Sequence, residues 1–403
     1  MDSRRRFIGK VATGLAGTLA APASALGANE RTRLGVIGFG DRGVQLSREA
    51  MACPNTELAA FADVYTRRLE DARKLAPEAK LSNDYRRLLD DPAIDAVLIA
   101  TPQHLHAEHF VAALGAGKHV YVEKAMAFTV ADAKRMRAAH RQAGGRTVAI
   151  GHQNCSTGQV ADTARFLASG AVGKITAIRA RMYRNTPHGK PQWRRLLYPD
   201  MRPGNIVWDA FLGEAPARAF DADRYLNWRL FWDYSGGNFH ESMSQQLAFW
   251  YKLLGLEIPR TVSASGGVYL WKDGREVPDT MSVAMEHSEE LLVTWDSGFG
   301  NNHPGVSEDV LGADGTISRS QQLRYLPQKV NRPDAPELLG QTTTPKNAHM
   351  RNFLDCIRSG KEPNCPFEIG FRVSIACRMA VESYRTGRRV RWDPVHEEIG
   401  AES

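Results

Sequence analysis

The chain has 403 residues, 43% of them hydrophobic and 24% charged, with a formal net charge of +7. That length suffices for two domains with full cores, and because Arg4, Arg5, Arg6 and Lys10 stand against Asp2 in the first 25 residues, only +4 remains for the rest, too small a surplus for a nucleic-acid binder. Five cysteines (Cys53, Cys155, Cys356, Cys365 and Cys377) are odd in number and lack C-x-x-C spacing, which excludes a zinc ribbon or a dense disulfide framework and leaves open a single Cys356 to Cys365 bridge.

The first element is a leader. Ser3-Arg4-Arg5-Arg6-Phe7-Ile8 fits a twin-arginine pattern, Val11 to Ala23 is apolar but too short to span a bilayer, and Ala23-Ser24-Ala25 offers the small residues a signal peptidase reads. Residues 1–28 are thus expected to be an export signal, with the twin-arginine machinery as a partner and a periplasmic or otherwise exported destination. That route carries folded proteins, so a cofactor can travel inside one. No later apolar run is long enough for a membrane span.

Next comes strand, glycine turn, helix. Leu34-Gly35-Val36-Ile37 is an apolar run, Gly38-Phe39-Gly40-Asp41-Arg42-Gly43 is a G-x-G-x-x-G turn, and Val44 to Met51 reads as helix. A second run, Leu58-Ala59-Ala60-Phe61-Ala62, ends in Asp63, twenty residues past Gly43, where a carboxylate meets the adenosine ribose of a bound dinucleotide. Gly38 permits the tight turn, Gly40 lets the pyrophosphate approach the backbone, and Gly43 lets helix and strand pack closely. Asp63 would repel a 2′-phosphate, which favours NAD over NADP, although Arg67 and Arg68 lie close by. Ala96-Val97-Leu98-Ile99-Ala100 and His119-Val120-Tyr121-Val122 continue as strands around a helix from Ala107 to Leu114. The alternation predicts an α/β Rossmann domain with a doubly wound parallel sheet over residues 29–151. Its ligands gather at the strand ends, where Thr101, Pro102, His104, His106, Glu123 and Lys124 stand, with Gln153 just beyond.

Thr101-Pro102-Gln103-His104-Leu105-His106 and Gly117-Lys118-His119-Val120-Tyr121-Val122-Glu123-Lys124 resemble the TP-x-x-x-H and GKHV-x-x-EK signatures of the glucose-fructose oxidoreductase, inositol dehydrogenase and MocA (Gfo/Idh/MocA) family. The resemblance runs on through Gly170-Ala171-Val172-Gly173-Lys174 to Gly387-Arg388-Arg389-Val390-Arg391-Trp392. It implies that residues 152–403 form a C-terminal α+β domain with an open, largely antiparallel sheet for substrate binding and oligomerisation, hence a homo-oligomer. It also implies that Lys124 lies beside the nicotinamide and the reacting hydroxyl, with Glu123 and His106 near the nicotinamide ribose. A lysine fits that role where burial and neighbouring charge let it take or return the alcohol proton.

Two departures stand out. The family's E-K-P reads Glu123-Lys124-Ala125 here, and a cis bond before alanine costs about 2.5–4 kcal/mol more than trans, so trans is expected. After Ser235-Gly236-Gly237, the D-x-G-x-H-x-x-D pattern is replaced, with Glu241 for the first aspartate, Gln245 for the histidine and Ala248 for the last aspartate. An amide orients a hydroxyl but accepts no proton. The catalytic candidates are therefore Lys124 with Glu241, then His240, with Gln245 orienting. Nothing in the spacing makes His104, His106, His240 and Glu241 converge, and no metal site is predicted. Ten aromatic residues fall within positions 193–234. They suit either a sugar site or an insertion stapled to the core.

The leading expectation is an exported, nicotinamide-dependent oxidoreductase acting on a sugar, polyol or glycoside with a tightly bound NAD(H). The alternatives are a redox-neutral glycoside hydrolase or lyase working through a transient keto-sugar, with Glu241 or His240 as its base, and a non-catalytic binder on the same fold.

Overall fold

The computed structural model describes residues 31–303 and 305–402; the leader expected over residues 1–28 lies outside the described residues. The first sheet holds β1 (Thr32–Ile37), β2 (Thr56–Ala62), β3 (Lys80–Ser82), β4 (Ala96–Ile99), β5 (His119–Val122) and β6 (Val148–Ile150) in the order β3-β2-β1-β4-β5-β6, every pairing parallel. This is the doubly wound arrangement expected of the N-terminal half. All four residues of β4 are buried, as a strand covered on both faces requires, so it reads as an unbroken apolar run. The order reverses between β1 and β4, and the groove above their carboxyl ends is where such sheets take ligands.

The second sheet has ten strands, β7 (Ile175–Tyr183), β8 (Thr261–Gly267), β9 (Thr280–Glu286), β10 (Leu292–Gly298), β11 (Val306–Gly312), β12 (Gly315–Arg319), β13 (Leu323–Pro327), β14 (Leu338–Leu339), β15 (Val390–Asp393) and β16 (Glu398–Ala401). Their order is β14-β13-β12-β11-β7-β10-β9-β8-β15-β16, antiparallel except for the central β7–β10 pair. An open, largely antiparallel sheet joined to a Rossmann sheet is the predicted architecture. In β7 the alternation Ile178, Ala180, Met182 marks the buried face, against which the helices Ser244–Leu254 and Phe367–Thr386 pack. The helix Ala348–Ser359 returns to the first sheet, adding Met350, Phe353 and Leu354 to the core of Leu34, Val36 and Leu98.

Two expectations are corrected. The helix after the glycine turn starts at Asp41, one turn before Val44, because residues within the turn already take up helical hydrogen bonding, beginning with Val44 N to Gly40 O at 2.9 Å. The five cysteines are free and buried. Cys356 lies in the helix Ala348–Ser359, where its sulfur accepts from Asn352, so it is not bridged to Cys365.

Candidate functional site

The glycine turn is shaped by three different steric demands. Gly38 has φ +87°, a backbone state that L side chains rarely adopt. A Cβ on Gly43 would collide with the Gly38 carbonyl oxygen, whereas one on Gly40 would meet nothing within 4 Å. The turn is thus closed beneath Gly43 and open above Gly40, and the helix Asp41–Met51 starts there without a side-chain cap. Uncapped N–H groups at a helix start form a seat for phosphate. Phe39 donates its N–H to Asp63 Oδ2 (2.7 Å) and Tyr65 donates to Asp63 Oδ1 (2.9 Å). Burial pushes the Asp63 carboxyl above its ordinary value, and these two N–H groups oppose the shift. Asp63 thus holds the turn to the end of β2, where a ribose would lie. The residues present fit a dinucleotide.

At the ends of β4 and β5 the side chains form a linked set. Arg42 Nε donates to Glu123 Oε1 (2.7 Å), and the Gln153 side-chain amide lies against the Arg42 guanidinium. Lys124 Nζ donates to Glu241 Oε2 and to the Glu241 carbonyl oxygen, both at 2.9 Å. Arg229 Nε reaches the same Oε2 at 3.2 Å, and Gln103 Nε2 donates to Oε1 at 2.6 Å. Burial would raise the Glu241 carboxyl, but the Lys124 and Arg229 charges overcome it and hold the group down at about 2. Glu241 therefore stays a carboxylate at any working pH and is a poor proton acceptor. These groups line a cavity of about 250 Å³ together with Thr101, Gln245 and Trp228.

Several expected contacts fall elsewhere. The Lys124–Ala125 bond is cis, not trans; Ala125 is fully buried and its carbonyl oxygen meets His106 Nδ1 at 2.9 Å, so tertiary packing sets the backbone path there despite the missing proline. His106 is consumed by the backbone, with Nε2 2.9 Å from the Thr101 carbonyl oxygen, and it braces the two strand ends instead of reaching the cavity. His104 turns under the 193–234 insertion, its Nε2 2.7 Å from the Phe211 carbonyl oxygen and its ring against Phe211 and Tyr234; burial pushes it down to about 4. His240 is fully buried behind the cavity, its Nδ1 3.2 Å from Gln103 Oε1 and its Nε2 unpartnered. Burial pushes it down to about 3. Its ring fills the space beside Gly236, where any Cβ would collide with it, while Gly237 is required by its φ of +58° and by Val277 beside it. Glu241 and Gln245 remain together, Gln245 Nε2 lying 3.3 Å from the Glu241 carbonyl oxygen. Glu241 lies in a π turn over Phe239–Met243 that leads into the helix carrying Gln245, a distortion common at functional sites.

Gln103, Trp228 and Arg229 were not singled out from the sequence. Gln103 had a signal, since it sits inside the TP-x-x-x-H stretch at a strand end. Most rings of the insertion form their own core, Trp208, Phe211, Phe231 and Tyr234 among them; of the ten, Trp228 lines the cavity. The insertion also crosses the nucleotide side of the first sheet. Val207 N donates to the Val64 carbonyl oxygen and Thr66 N to that of Asn205, both at 2.9 Å, while Arg195 pairs with Asp41 and Arg67 with Asp200.

Residues 32–152 match the model of the GFO_IDH_MocA family, described as an oxidoreductase family with an NAD-binding Rossmann fold. A 1-carboxy-3-chloro-3,4-dihydroxycyclohexa-1,5-diene dehydrogenase of Comamonas testosteroni is 31% identical over 201 residues, 48% of this chain and 50% of that protein. Levoglucosan dehydrogenase of Pseudarthrobacter phenanthrenivorans is 33% identical over 183 residues, 44% of this chain and 42% of that protein. The chain thus spans about half the length of the curated relatives it matches. A solved levoglucosan dehydrogenase in complex with NADH and levoglucosan superposes with TM-score 0.69 over 90% of this chain and 99% of that one at 19% identity, which establishes a shared fold. The N-terminal region of this chain, residues 32–152, is accordingly an NAD-binding Rossmann domain of the Gfo/Idh/MocA oxidoreductase family.

Proposed function

We propose that the whole protein is an exported dehydrogenase that oxidises or reduces a hydroxyl-bearing carbon of a sugar, polyol or glycoside with an NAD(H) that stays bound between turnovers. The observation that carries this reading is Lys124 Nζ in the cavity, beside the strand ends and held by Glu241 through two of its three N–H donors. The names of relatives as inositol and levoglucosan dehydrogenases support the substrate class. The bound nicotinamide supplies the hydride acceptor or donor. Lys124 turns its third position to the reacting hydroxyl, as a lone pair that takes the proton in oxidation and as an N–H that returns it in reduction, Glu241 keeps the lysine aimed, and Gln245, beside the same Glu241 carbonyl oxygen, orients the hydroxyl. In this reading residues 29–151 bind the cofactor and residues 152–403 bind the substrate and a second copy of the chain.

Asp63 supports NAD over NADP, and the two arginines that would favour a 2′-phosphate are engaged, Arg67 with Asp200 and Arg68 with Asp41 at 3.9 Å. The insertion supports retention, because two backbone hydrogen bonds tie it to Val64 and Thr66, just past Asp63. A redox-neutral elimination lacks support, since it needs a second base and both candidates are spent, Glu241 as a fixed counter-ion and His240 behind the cavity.

The test is to isolate the exported protein without added nucleotide, denature it and quantify what is released. Stoichiometric NAD(H) is expected, followed by turnover of sugar pairs in the absence of free NAD. No nucleotide released and no binding of added NAD would overturn the proposal.

A further inference from the structure

Beyond the last residue of β7, Arg184 continues the parity of Ile178, Ala180 and Met182, so its side chain leaves the sheet on the helix-covered face. That face is pinned to the segment carrying Glu241. Ser297 Oγ donates to the Met182 carbonyl oxygen and accepts from Asn238 Nδ2 (2.6 Å), and Gln246 Nε2 donates to the Arg181 carbonyl oxygen (3.2 Å). Arg184 is therefore delivered beneath the turn that holds Glu241. Its guanidinium is poorly satisfied. Nη2 reaches the Met182 sulfur at 3.5 Å, a weak acceptor, and among the described residues no carboxylate lies within 4.0 Å of it. Its other nitrogens have no side-chain or backbone acceptor, yet they are absent from the buried orphans, so they open onto accessible space.

The charges of the neighbourhood do not balance. Arg42 is matched by Glu123, but Lys124 and Arg229 both pair with the carboxylate of Glu241, the one carboxylate whose charge also acts on Arg184. Burial pushes Arg184 below its ordinary value, and Glu241 opposes that only in part. A half-buried guanidinium with free donors and no counter-ion is completed by an incoming anion.

We propose that Arg184, with Arg229, which also faces Glu241, forms a subsite for the anionic group of an acidic sugar, so that the substrate is a uronic acid or another negatively charged saccharide. A carboxylate is the planar match for the guanidinium fork; a sulfate or phosphate ester shares the chemistry. The proposal rests on the sugar-dehydrogenase reading and names its substrate class.

Binding to the NAD-loaded protein is measured by calorimetry with glucuronate and galacturonate against glucose and galactose, and with glucose 6-sulfate and glucose 6-phosphate. An acidic probe is expected to bind at least about tenfold more tightly than its neutral partner. Arg184→Gln is expected to erase that difference while leaving neutral sugars unchanged, and Arg184→Lys, which keeps the charge but loses the fork, to restore part of it. A uronate preferred over the esters assigns the carboxylate, and the reverse order assigns the ester; both uphold an anionic subsite. Equal binding of acidic and neutral probes, or a preference that survives in both variants, overturns it. Arg184-dependent binding of an acid without turnover of any sugar would uphold the subsite while removing the dehydrogenase reading, so the two failures are distinguishable.

Discussion

The glycine turn and the side-chain cluster of this site are built by opposite means. In the first, one continuous stretch, Gly38 to Gly43, supplies backbone shape, and each glycine answers a separate steric demand. In the second, Gln103 and Lys124 from one stretch of the chain and Arg229 from another, more than a hundred residues on, meet on the single carboxylate of Glu241. A backbone site survives sequence drift around it because shape is local. A side-chain cluster depends on each of its members separately, because each reaches the shared carboxylate through its own contact.

The largest expected effect breaks the cluster at its chemical end. Lys124→Met is expected to lower turnover by about 10²–10⁴-fold while nucleotide titration shows unchanged NAD affinity; equal losses in both would place Lys124 in cofactor binding instead. Within the glycine turn a paired test separates fold from function. Gly43→Ala drives a methyl into backbone and should destabilise the protein by about 1–3 kcal/mol, whereas Gly40→Ala, at φ −71° with open space above it, should leave the denaturation midpoint within about 0.5 kcal/mol of the parent and weaken NAD binding about tenfold.

Glu241→Gln sharpens the comparison through pH. The folded carboxyl is held at about 2 against an ordinary value of 4.5, so its contribution to stability is complete above the higher value and is lost progressively as pH falls towards the lower. Denaturant midpoints between about pH 5 and about pH 2 should therefore fall less steeply in the variant than in the parent. Parallel curves would show that the ion pairs of Glu241 are not present in solution. The smallest effect concerns the thiols: with all five free, a reducing agent should shift the melting temperature by less than about 1 °C, and a larger drop would reveal a bridge.

Much of the fold was legible, because strand, glycine turn and helix are set by near neighbours in sequence, and β4 is an apolar run of four residues and β5 one of three after His119. Lys124 and Glu241 were legible through the motifs that hold them. Arg184, Trp228 and Arg229 were not, since they follow a strand or sit in an irregular insertion whose path only tertiary packing defines. The histidines misled for a related reason: His104, His106 and His240 stand in chemically suggestive stretches, yet two have a ring nitrogen taken by a backbone carbonyl and the third is enclosed. The cis bond at Lys124–Ala125 shows the same limit, because the proline that would have announced it is absent while the packing around Ala125 remains.

Gln103 carries a consequence for motion. It belongs to the Rossmann half, yet its amide nitrogen holds Glu241 while its amide oxygen receives Gly236 N at 3.1 Å and faces His240. One side chain thus rivets the two halves together at the floor of the cavity, and a hinge opening there would have to break these contacts at once, which coupled hydrogen bonds resist. Any movement of the two sheets against each other is thereby coupled to the seat of Glu241, and so to the cavity that Trp228 and Arg229 also line.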